Sequence, residues 1–88
     1  MTETEQKQAF WRMTFDEKVA DCEITFNAWK ITIEVCHAAR KKLESSPDSI
    51  AARLAYDGAE QHKQSRETGY REARKELESW VRRFPFPV

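Results

Sequence analysis

Between Val19 and Leu43 the chain carries two apolar stripes at helical spacing where most helices carry one. The first runs Val19, Cys22, Phe26, Trp29, Ile33, Cys36 and Leu43, stepping by three and four residues with only Arg40 interrupting it. The second, Ile24, Ala28, Ile31, Val35 and Ala38, is displaced from it by somewhat more than a third of a turn. A helix that packs on one neighbour needs one apolar stripe, so two stripes ask for two covers. The rest of the chain is expected to supply one cover and a second molecule the other, which assigns Ile24, Ile31 and Val35 to a partner-binding face.

A strand reading competes for the same residues. Cys22 to Phe26 and Ile31 to Val35 alternate apolar and polar, are rich in β-branched side chains, and would flank a turn at 27–30 as a hairpin. That turn lacks glycine, the stripes run through both flanks without a change of phase, and an isolated two-stranded hairpin is only marginally stable. The helix accounts for more of the pattern.

Capping signals set the expected helix limits. Thr2 and Glu5 have the spacing of a capping box and are followed by the apolar patch Ala9, Phe10, Trp11 and Met13, so residues 1–13 read as a short N-terminal helix or arm. Thr14-Phe15-Asp16-Glu17 repeats the Thr-x-x-Glu spacing, which starts the long helix near Thr14, and Arg40-Lys41-Lys42 places cations at its far end. Ser45-Ser46-Pro47-Asp48 then separates two helices, with Ser46 as the cap and Pro47 as the first residue of the second. So short a connection makes the helices antiparallel neighbours.

The second half has a stripe of small residues, Ala51, Ala55, Gly58, His62, Ser65, Gly69 and Ala73, enlarged at its end by Leu77, Trp80 and Phe84. Small residues admit bulky ones from a facing helix, so this stripe is expected to receive Phe26, Trp29 and Ile33. Glu67 with Arg71 and Glu78 with Arg82 are spaced for ion pairing along the helix. Gly58 and Gly69 oppose the helix at about 1 kcal/mol each relative to alanine, which allows a break between them. The tail Phe84-Pro85-Phe86-Pro87-Val88 is held extended by its prolines. It either projects Phe84 and Phe86 as a docking peptide or folds back onto Trp80 and the N-terminal apolar patch.

With 88 residues the chain forms one domain, 1–88, of a size that buries only about 60–65% of its unfolded surface. Association is a natural supplement to so small a core. Fifteen basic and fifteen acidic residues leave no net charge to draw the chain to nucleic acid or membrane. Residues 1–39 nevertheless carry four Lys or Arg against seven Asp or Glu, and residues 40–88 eleven against eight, so the halves attract if the chain folds back on itself. No apolar run reaches the roughly 18 residues of a membrane span, and the start is acidic where a signal peptide would be basic, so a cytoplasmic protein is expected. Cys22 and Cys36 stand about 21 Å apart on one helix, beyond disulfide reach, and are expected to be buried thiols.

The residues argue against chemistry. His37, His62 and the two cysteines lack the short paired intervals of a metal site; His37 reads as a surface group and His62 as a polar group within the small-residue face. The serines at 45, 46 and 49 have no nearby base, and two glycines make no phosphate loop, so neither enzyme nor cofactor is expected. The resulting expectation is an all-α antiparallel hairpin of two long helices plus a short N-terminal helix or arm, dimerising into a bundle. Its function would be protein–protein interaction, as a small regulator, adaptor or inhibitor of the kind phages and other mobile elements encode. The alternative is a nucleic-acid accessory protein using Arg40, Lys41, Lys42, Arg82 and Arg83, with Arg71, Arg74 and Lys75 on the same helix.

Overall fold

The computed structural model describes residues 1–88 and consists of two helices, α1 (Glu3–Ser45) and α2 (Ile50–Arg83), with no strand. They pack antiparallel along their length. The rungs are Trp11 to Phe84, Lys18 to Glu76, Phe26 to Tyr70 and Cys36 to Glu60. Their regular progression makes the molecule a strap of 68 × 19 × 12 Å.

α1 has no separate N-terminal piece. Thr2 caps it by accepting the Glu5 amide at 3.2 Å, as its Thr-x-x-Glu spacing foretells, but the second such motif starts nothing. Thr14 lies inside the helix, its hydroxyl donating to the Phe10 carbonyl at 3.1 Å. The reason lies in the packing. Gln8, Trp11, Phe15, Lys18, Cys22, Thr25, Trp29, Thr32, Cys36, Ala39 and Leu43 turn inward in steps of alternately four and three residues, so the N-terminal residues share one seam with the rest. No glycine or proline interrupts the chain before Pro47.

The connection also differs from expectation by three residues. Ser49 caps α2, accepting the Ala52 amide at 3.1 Å, while the Ser49 amide donates to the Ser46 carbonyl at 3.0 Å across a turn centred on Pro47 and Asp48. Proline at the second position of a turn uses its fixed φ as well as it would in a first helical turn. Ser46 closes α1 through its amide to the Lys42 carbonyl.

α2 is unbroken through Gly58 and Gly69, neither of which has a positive φ. Its inward face is Ala52, Tyr56, Ala59, Lys63, Tyr70, Ala73, Leu77 and Trp80. The small stripe does not form the seam in the first half of α2: Ala51, Ala55, His62 and Ser65 are exposed. Tyr56 and Tyr70 bury more area than alanine and glycine offer, and this rotates the helix by about one residue from the expected phase. Trp29 stacks on Tyr70 at 5.7 Å, and Phe26 meets the same ring at 5.3 Å.

Two helices make one layer, so inward residues remain open at the edges. Cys36, at 6% exposure, is the one buried residue. The radius of gyration of 19.9 Å compares with about 12 Å for a compact domain of this length. The accessible surface of 6992 Å² compares with about 5400 Å² for a compact protein of this mass. Ion pairs do little to join the helices, since only Lys18–Glu76 crosses between them, at 3.1 Å. Glu67 pairs with Arg71 at 2.8 Å as expected, whereas Glu78 turns back to Arg74 at 3.3 Å instead of forward to Arg82. No helix is long and apolar enough to cross a membrane.

Candidate interaction face

The two broad sides of the strap differ in chemistry. On one side α1 presents Ile24, Ile31 and Val35, which are 66%, 61% and 54% exposed, with Ala28 and Ala38 on the same helical face. Next to them α2 presents the displaced small stripe. A shallow groove of about 300 Å³ between the helices is lined by Thr32, Val35, Ala59 and His62, and a second of about 530 Å³ nearer the turn by residues including Lys42, Ala51 and Ala55. From Ile24 to Ala38 on α1 this face carries no charge, and from Ala51 to Gly69 on α2 it carries one, the exposed Arg66, four residues after His62 and seven after Ala59. The remaining charge stands at its ends, with Glu17, Asp21, Glu72 and Glu76 at one and Lys41 and Lys42 at the other.

The opposite side is polar, and its centre is Glu60. One carboxylate oxygen, Oε1, accepts from Cys36 Sγ at 3.0 Å, Tyr56 Oη at 3.1 Å and Lys63 Nζ at 3.3 Å. Donation from Cys36 and Lys63 holds the Glu60 carboxyl below the usual carboxylate range against the opposing effect of desolvation. In return the hydrogen bond to Glu60 pushes the Cys36 thiol and the Tyr56 phenol up, and raises Lys63. A thiol raised in this way is a poor nucleophile, so the cluster works as a polar clasp between the helices. Burial pushes the Cys22 thiol up as well; both cysteines are free, Cys36 buried as expected and Cys22 only half-buried. Trp29 Nε1 is buried beside this clasp without an acceptor. Glu60 was not among the sequence candidates, although Tyr56 four residues before it is a readable signal.

At the open end of the strap the tail folds back. Trp11 Nε1 donates to the Phe84 carbonyl at 2.6 Å and Gln8 Nε2 to the Pro87 carbonyl at 2.9 Å. The Phe86 ring meets Trp11 edge-on at 5.2 Å, Phe84 lies 6.0 Å from Trp80, and Arg12 sits over Phe86 at 5.2 Å. Prolines 85 and 87 remove amide donors that this path could not pair. Phe84 and Phe86 remain 53% and 36% exposed, so they close the hairpin and keep apolar surface at its end.

The basic candidates are not gathered together. Arg40, paired with Glu44 at 3.3 Å, stands with Lys41 and Lys42 near the turn, while Arg82 and Arg83 stand at the open end, about 40 Å away by helical rise. His37 and His62 are both exposed; the first agrees with expectation and the second shows that the small-residue face is outside the core. Compared with known proteins, the chain matches no family, no curated protein and no solved structure.

Proposed function

We propose that this chain is a non-enzymatic protein-interaction module whose working surface is the apolar side of the strap, centred on Ile24, Ile31 and Val35. The observation that carries this reading is their exposure of 54–66% in the middle of a long helix, on a stretch of α1 face that carries no charge from Ile24 to Ala38. Three aliphatic side chains held open to water are unfavourable unless something covers them; fully burying such a side chain is worth about 1.5–3 kcal/mol. The surplus of about 1600 Å² over a compact protein of this mass supports the same conclusion, since a standard interface takes about half of that, roughly 800 Å², from each partner.

A module of this kind suits a regulator, adaptor or inhibitor that acts by covering a site on a larger partner, and pairing into a helical bundle is the mode of docking its shape favours. The test is the double variant Ile24→Glu, Ile31→Glu, used as bait in affinity purification from the native cell, with mass spectrometry as readout. Partners captured by the parent chain and lost by the variant, with helicity unchanged, are expected. Equal capture by both would refute the reading, and retention only of nucleic acid at low salt would favour the basic residues instead.

A further inference from the structure

The glycines of α2 have no explanation within the chain. Gly58 and Gly69 sit in the helix interior with ordinary helical φ, and a Cβ at either would meet nothing within 4 Å. Glycine weakens a helix relative to alanine, and neither a turn nor a close approach inside this molecule requires it. Both glycines lie on the side of Ile24, Ile31 and Val35, so the close approach they permit is to something outside.

We propose that a second copy of this chain covers this face, related by a two-fold axis that lies in the interface, crosses both helices, and passes close to His62. The proposal rests on the interaction-face reading above and names its occupant. Under this axis each helix lies antiparallel on its own counterpart. Near the axis Ile31 meets Val35 of the other copy and Ala28 meets Ala38; on α2, Gly69 meets Ala55, and Gly58 meets Arg66, whose side chain takes the space the missing Cβ leaves. Charge chooses the direction. The antiparallel arrangement brings Asp21 of one copy toward Lys42 of the other, whereas a parallel one would stack Glu17, Asp21, Glu72 and Glu76 of both copies at one end. The overlap is about 40 Å long by helical rise and 19 Å wide, close to the 800 Å² per partner of a standard stable interface.

The experiment is analytical ultracentrifugation of the full chain from micromolar to submillimolar concentration, combined with oxidative cross-linking of His62→Cys. A dimer is expected, with His62→Cys linking to itself under mild oxidation, because residue 62 faces its own copy only across this axis. Gln64→Cys, on the polar side, is expected not to link. The pair Gly58→Leu, Gly69→Leu is expected to weaken the dimer at least tenfold while raising helicity in dilute solution, so loss of folding cannot imitate the effect. Lys42→Glu should weaken it as well, and Asp21→Lys in the same chain should restore it. A monomer at every concentration would overturn the proposal and leave the face to a foreign partner. A dimer that withstands both leucines, or whose His62→Cys does not link, would overturn this arrangement; if it withstood Ile31→Glu, Val35→Glu too, the face reading would fall with it.

Discussion

Replacing Phe86 with alanine tests whether the tail is part of the fold. The ring is 36% exposed, so about two-thirds of it is covered, by Trp11 edge-on at 5.2 Å and by the Arg12 guanidinium at 5.2 Å. Full truncation of a buried phenylalanine costs about 3–5 kcal/mol. Scaling for the open part leaves about 2–3 kcal/mol, and the flexibility of a chain end lowers this to about 2 kcal/mol. For a domain of this size, 1 kcal/mol moves the melting temperature by about 4–8 °C, so a fall of about 8–16 °C is expected. Thermal unfolding followed by circular dichroism, with tryptophan fluorescence reporting Trp11 and Trp80, is the assay, and both proteins are compared at one concentration because association raises apparent stability. A melting temperature within about 2 °C of the parent would mean that the tail is a loose docking peptide, and the reasoning from the folded-back geometry would be refuted.

Other outcomes follow from the same geometry. Gly58→Ala and Gly69→Ala should each stabilise the dilute monomer by about 1 kcal/mol, since the added methyl meets open space; a loss measured by chemical denaturation would contradict the environment described for them. Glu60 titrates below its ordinary range in the fold, so its contribution is present above about pH 4.3 and lost as pH falls through the lowered value. Cys36 and Tyr56 titrate above theirs, so their contributions are complete below about pH 8.5 and fade as pH rises through the raised values. Stability should therefore level off from about pH 5 to about pH 8, and Glu60→Gln should blunt both flanks; an unchanged denaturation profile across pH would argue against the clasp. Lys18→Ala, which removes the one ion pair between the helices and a cation over Trp80 at 5.9 Å, should cost no more than about 1 kcal/mol by the same assay, and a much larger loss would show that charge helps hold the strap together.

The all-helical hairpin, its antiparallel sense and the exposure of Ile24, Ile31 and Val35 are legible in the residues alone, because apolar periodicity is a local property and a single proline-centred turn leaves few ways to fold back. Helix ends are less legible. Two Thr-x-x-Glu motifs look alike on paper, and Thr2 rather than Thr14 is the cap only because Trp11 and Phe15 find Trp80 and the tail to pack against. The tertiary structure alone decided which side of α2 faces inward. Small residues at regular spacing are compatible with a seam or an outer face, and the tyrosines settled the rotation, Tyr70 by packing on Trp29 and Phe26 and Tyr56 by sharing the Glu60 carboxylate with Cys36. Turning those rings in carried Gly58, His62 and Gly69 to the side where Ile24, Ile31 and Val35 stand open. The candidate interaction face thus draws on both helices, and its existence depends on an interhelical phase that no local pattern encodes, since burial area is a property of the pair.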